Sequence, residues 1–252
     1  MKQRPLFDWR GLIPLSVLMA AWQLLQGPRS PFLPRPSEWW AGAVELANKT
    51  RLPEAIWATL LTIALGLLLA TLIGLLLGLL LGSSRGARRA LSPTLEFIRA
   101  IPAAAIVPIA VLLLGYDGRM KVAIVVLGVL WPILLNVTTA VARLHPLLTD
   151  VALSLRMGPV ARVWKIMLPA ILPALLLGVR VALPLAVVIA LVIEMLTSVY
   201  GLGSLMINAQ RDYHAGRVFA LLVIVGAIGL ILNLLLGKLE ARLMRHRPVG
   251  RG

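Results

Sequence analysis

The sequence predicts an all-α polytopic membrane protein, six transmembrane helices in a single domain covering residues 1–252. Three observations carry this. Of 252 residues, 60% are hydrophobic and only 14% are charged, against about 45–50% and 25% in soluble domains. The apolar residues gather in long runs, and a run of about 20 residues crosses a bilayer as a helix. The net charge of +15 is spread over short segments between those runs. That pattern sets membrane topology and does not form a nucleic-acid-binding face, so no nucleic acid partner is expected.

The first run, 12–25, is short and follows Lys2, Arg4 and Arg10, as the core of a secretory signal does. The segment after it, Gln-Gly-Pro-Arg-Ser-Pro, has no small-residue cleavage site, so a retained first span is expected. Ser37 followed by Trp39, Trp40, Val44 and Ala47 predicts a capped amphipathic helix at the outer interface, where Trp is favoured. The remaining spans are expected at 55–81, 97–114, 122–142, 170–196 and 218–236.

Basic residues orient these spans. With the amino terminus inside, the inner segments carry fifteen, among them Lys2, Arg4, Arg10, Arg85, Arg88, Arg89, Arg143, Arg247 and Arg251. The outer segments carry eight: Arg29, Arg35, Lys49, Arg51, Arg119, Lys121, Arg211 and Arg217. The expectation is a multi-pass protein of the inner (cytoplasmic) membrane, in contact with membrane lipid, with both termini cytoplasmic.

Gly66, Ala70, Gly74, Gly78 and Gly82 recur every fourth residue of the second span. That spacing lines one helix face with small residues and lets another helix approach closely, either within the chain or from a second copy. The same glycines do not form a phosphate loop, because Gly78 to Ser83 lacks the required Lys. Without cysteine there is no thiolate chemistry, and His145, His214 and His246 lack metal-ligand spacing. No catalytic or metal-binding residues are therefore assigned.

Ionisable or polar residues inside spans are the candidates for a solute pathway: Arg99, Arg180 and Glu194, with Asn136, Thr138 and Thr139. For the two arginines the alternative is snorkelling to the inner headgroups. For Glu194 it is a structural pairing. Pro102, Pro108, Pro132, Pro173 and Pro184 lie inside spans, where they kink helices.

One segment is neither apolar nor loop-like: DVALSLRMGPVARVWKIMLP, Asp150 to Pro169. Leu148, Val151, Ala152 and Leu155 share a helix face, Gly158 and Pro159 interrupt it, and Val160, Val163, Trp164 and Met167 repeat the spacing. Two short amphipathic helices are expected, Thr149 capping the first, Asp150 at its positive end, and Leu168-Pro169 ending the excursion. On spacing alone they could rest on lipid headgroups or grip a partner protein.

This segment resembles the cytoplasmic "EAA" motif of ABC importer permeases: Glu-Ala-Ala, three residues, Gly, nine residues, Ile, one residue, Leu-Pro. Asp150, Val151 and Ala152 stand for the first three, and Ile166, Leu168 and Pro169 fall in register. Arg156 takes the Gly position, so the bend is expected at Gly158-Pro159 instead. The resemblance covers most of the chain and includes PRPSEWWAG, LSPTLEFIRAIPAAAIVPI, GVRVAL and EMLTSVYGLG. It is closest to permeases for taurine and aliphatic sulfonates, nitrate or bicarbonate, and some heterocyclic vitamins or their precursors.

The resemblance implies a type I ABC importer permease fold with a coupling segment at 147–168. It also implies a homodimer with a second permease copy, two ATPase subunits that hold ATP and Mg, and an extracytoplasmic substrate-binding protein. This chain itself would be non-catalytic and carry no cofactor. Asp150, Val151, Ala152, Leu155, Arg156, Gly158, Pro159, Arg162, Trp164, Lys165, Ile166, Leu168 and Pro169 would dock on the ATPase. An ATP-independent secondary transporter and a membrane scaffold are the alternatives from other classes. No internal repeat supports the first, and a scaffold has no need of the coupling segment.

Overall fold

The structure, a computed structural model, describes residues 12–25 and 33–245. Lys2, Arg4, Arg10, Arg29, His246, Arg247 and Arg251 lie outside the described residues. The described chain is helical: α1 Leu12–Leu25, α2 Pro36–Lys49, α3 Leu52–Ser83, α4 Arg85–Ala100, α5 Val107–Leu114, α6 Gly118–Ala142, α7 Pro146–Ser154, α8 Pro159–Arg162, α9 Leu168–Thr197, α10 Leu202–Arg211 and α11 Ala215–Met244.

Among the described residues four helices are long and apolar enough to cross a membrane: Leu52–Ser83, Gly118–Ala142, Pro159–Thr197 and Ala215–Met244. The expected span at 97–114 is not one straight helix. α4 meets the arm Ala103–Leu114, a 3-10 turn (Ala103–Ile106) leading into α5, at 83° across a break at Ile101 and Pro102. The cause is Pro102, which pushes Ile101 out of helical conformation to φ −75°, ψ 120°. The pair counts as one broken span at most, and α1, with 14 residues, falls short of a full crossing.

α3, α6 and α9 form the centre. The small-residue stripe of α3 faces α6 in parallel register: a Cβ on Gly66 would strike Val125, and Gly74, Gly78 and Gly82 meet Ile133, Val137 and Val141. The stripe is therefore spent on packing within the chain. Lipid is as apolar as these side chains, so close van der Waals contact holds the pair together, not escape from water. Gly178 does the same for the antiparallel crossing of α9, lying against Ile133 and Asn136.

α2 starts earlier than expected. Its cap position is Arg35, and Ser37 sits in the first turn, where its amide donates to Gln23 Oε1 of α1 at 3.2 Å. A residue of the neighbouring helix thus performs the capping that Ser37 was expected to supply. Trp22, Trp39 and Phe219 complete the junction of α1, α2 and α11, with ring centroids 5.2–5.6 Å apart.

Candidate functional site

The segment 146–169 joins α6 to α9 at the end of the bundle where α3 and α6 finish. α7 begins at Pro146, and His145 Nδ1 accepts from the Leu147 amide at 3.2 Å. The helix start is thus three residues before Thr149, which lies inside α7 with Asp150, since proline suits a first helical position and His145 satisfies an end amide.

The helix ends at Ser154 and its closing turn passes through Arg156. Met157 N donates to Ala152 O at 2.9 Å, and Arg156 takes φ 49°. This is a Schellman closure with Arg156 in the left-handed position that glycine usually fills. The turn therefore stays where the family has its Gly, and Gly158 only extends the break, with φ −65° and ψ 161°. A left-handed non-glycine costs about 1–2 kcal/mol.

The second amphipathic helix is not separate. From Pro159 the chain runs without a break to Thr197, so Leu168 and Pro169 lie within a helical rod. A π turn, Val163–Met167, precedes Pro169. That wider turn is where the proline ring would otherwise meet the carbonyl of Lys165. Ala152 is buried, whereas Leu147, Val151, Leu155, Val160 and Trp164 are exposed. Asp150, Arg156 and Lys165 are exposed at the margin of this strip.

At the opposite end of the bundle Glu194 is wholly buried. Lys121 Nζ donates to its Oε1 at 2.9 Å, the Thr59 hydroxyl to its Oε2 at 2.9 Å, and the Gly203 amide to its Oε2 at 2.9 Å. Lys121 also donates to Tyr200 O, and the Leu202 amide to Thr59 Oγ1. The network ties α10 to α3, α6 and α9. Glu194 therefore has the structural pairing. Lys121, read from the sequence as an outer charge, is 3% exposed and belongs to the interior.

The other candidates separate. Arg180 NH1 lies 3.4 Å from Glu240 of α11, a partner that snorkelling does not require. The Asn136 amide nitrogen donates to Pro132 O at 2.7 Å, inside its own helix. Arg99 and Thr139 do come together. With Arg88, Ser92, Trp131 and Thr138 they line a cavity of about 190 Å³ between α4 and α6. Arg88 and Ser92 escaped sequence reasoning because the span was taken to begin at 97. The signal was present, since 88, 92, 95 and 99 share one helical face.

Residues 70–245 match the family model described as "Binding-protein-dependent transport system inner membrane component". The chain is 29% identical over 248 residues to SsuC of Bacillus subtilis, named for aliphatic sulfonates transport, covering 97% of this chain and 90% of that protein. It is 34% identical over 183 residues to an ABC transporter permease protein of Haemophilus influenzae, covering 71% and 75%. The nitrate import permease protein NrtB of Leptolyngbya laminosa matches at 29% over 156 residues, covering 62% and 56%. The fold of this chain matches a chain of the MetNI methionine ABC transporter in an inward-facing form, with a TM-score of 0.63 and 22% identity over 77% of this chain and 94% of that one.

A bundle of long apolar helices with an amphipathic break between two of them defines a polytopic membrane protein. The chain belongs to the binding-protein-dependent transport system inner membrane component family and is an ABC importer permease.

Proposed function

We propose that this permease forms the pathway of an ATP-driven importer for a small anion of the sulfonate, nitrate or bicarbonate kind. In this reading the short α1, with the chain before it, and the bent α4–α5 pair each cross once, which gives six spans and both termini in the cytoplasm. Two copies pair about the pathway, a binding protein delivers solute from outside, and two ATPase chains, which hold ATP and Mg, bind beneath. No step of ATP hydrolysis falls to this chain.

The observation that carries this reading is the exposed apolar strip of 147–164 beyond the bundle, edged by Asp150, Arg156 and Lys165. An apolar strip with a charged margin suits a partner groove: the apolar centre supplies affinity and the margin sets partner choice. Closure of the ATPases on ATP would draw the two strips together and turn the pathway outward, and hydrolysis would release them. The anion class rests on the names of the relatives for sulfonates, nitrate and bicarbonate.

Co-purification with the ATPase and uptake into proteoliposomes test the reading. We expect ATP-dependent uptake of a sulfonate or nitrate, and loss of ATPase association when Arg162→Glu and Lys165→Glu are combined. Uptake that persists without ATP, or a chain that never retains an ATPase, would overturn it.

A further inference from the structure

Beside the cavity between α4 and α6 lies a polar group with nothing to bond. Thr138 Oγ1 is buried and has no hydrogen-bond partner. Other helical threonines of this chain satisfy their hydroxyl locally: Thr62 donates to Ala58 O, Thr71 to Leu67 O and Thr197 to Ile193 O, each four residues back. Buried polar groups are rarely left unpaired; this one is closed off from the cavity in the present rotamer, and a turn about χ1 of Thr138, which lines the cavity, brings the hydroxyl to a ligand there.

The wall opposite is basic. Arg88, Ser92 and Arg99 occupy one face of α4, and neither arginine is ion-paired among the described residues. Glu96 of the same helix does not line the cavity. The two guanidiniums are rooted 11 residues apart, roughly 16 Å along the helix. Arg99 and Trp131 also border a second cavity of about 390 Å³ that runs beneath the break at Pro102 toward α9. Two arginines, up to three hydroxyls and a volume of about 190 Å³ fit a compact oxyanion and exclude a bulky solute. Arg99 is exposed and Arg88 half-buried, so both guanidiniums are open to an anionic counter-charge.

We propose that this cavity is a binding site for a tetrahedral oxyanion group, a sulfonate or phosphate, held by Arg88 and Arg99 with hydroxyl contacts from Thr138 and Ser92. It gives the permease its own anion contact and, as far as the cargo is concerned, rests on the import reading above. The group can arrive as free anion or as the headgroup of an anionic lipid.

The purified chain in nanodiscs of neutral phosphatidylcholine is titrated with inorganic sulfate and with methanesulfonate. Saturable one-site binding is expected. Arg88→Gln and Arg99→Gln should each weaken it about tenfold, the scale of one lost charged hydrogen-bond partner. Thr138→Val should weaken it less, and Arg89→Gln, on α4 but away from the cavity, should leave it unchanged. Circular dichroism confirms that each variant is folded, and Thr138→Val keeps the question open to test if an arginine variant is not.

A second arm uses discs with phosphatidylglycerol. If the headgroup is the occupant, sulfate binding is absent there and the Arg88→Gln/Arg99→Gln chain retains less phosphatidylglycerol through purification than the parent. Either occupant supports the site. Binding of neither, or binding undiminished in the double variant, overturns it. The two readings fail separately: ATP-dependent uptake without any oxyanion binding sinks the site and leaves the import reading, whereas binding without ATP-dependent uptake does the reverse.

Discussion

Lys121 Nζ and Glu194 Oε1 lie 2.9 Å apart, with 3% and 0% of their side chains exposed. Such a pair adds little or no net stability over a well-packed apolar replacement, but removing one partner leaves an uncompensated charge in a dry interior, at about 3–5 kcal/mol. Glu194→Ala should lose that and also strand the Gly203 amide. We expect thermal unfolding in detergent to fall by on the order of 10 °C, with limited proteolysis opening first around α10. An unchanged unfolding temperature would contradict the network.

Gly78 tests the α3–α6 contact. A Cβ there meets Val137, and the rest of a larger side chain has no space between the helices. Gly78→Leu should destabilise the bundle by about 1–3 kcal/mol or more, the usual cost of overpacking. Gly226, whose Cβ would meet nothing, provides the control: Gly226→Ala should be tolerated. Equal thermal stability of both variants would show that the stripe is not packed as described.

Arg156 holds φ 49° in an exposed turn. Arg156→Gly removes the strain and should raise stability by about 1 kcal/mol, less the extra freedom of glycine in the unfolded chain. Arg156→Val should lower it further, since a β-branched residue resists the left-handed region most. Calorimetry of the two variants decides this.

Glu45 gives the chain a pH dependence outside its spans. Hydrogen bonds from Arg217 and then Lys49 hold its carboxyl at about 2, below the ordinary 4.5. A folded-state value below the unfolded one means the stabilisation is complete above about pH 4.5 and is lost as pH falls from there toward 2. Unfolding temperature should therefore drop less steeply over that window in Glu45→Gln than in the parent. Parallel pH profiles would exclude the role.

Much of the bundle was legible from hydropathy, because lipid demands long apolar runs wherever a helix crosses. The α3 stripe and the amphipathic break after α6 were legible for the same reason: helical periodicity survives in sequence. What failed were consequences of partners far away in the chain. Lys121 looks like a surface charge until Glu194, 73 residues later, is folded against it. Ser37 looks like a cap until Gln23 is brought to its amide. A kink at Pro102 was expected, but apolarity alone does not reveal its size or direction, and the 83° turn concealed Arg88 and Ser92 from the candidate site. At Arg156 the chain tolerates in an arginine the backbone that glycine adopts freely, which residue identity alone argued against.

The unbroken run from Pro159 to Thr197 makes one stiff body out of what sequence divides in two. Trp164 and Glu194 stand 30 residues apart on it, about 45 Å of helix. A displacement imposed at the tryptophan end cannot be absorbed by a hinge at Leu168-Pro169, because none exists there. It travels as tilt or rotation along the shaft, whose softer points are the π turn at Val163–Met167 and the turns before Pro173 and Pro184. The far tip carries the carboxylate that fastens α10, so a torque at one face of the membrane is felt at a latch on the other.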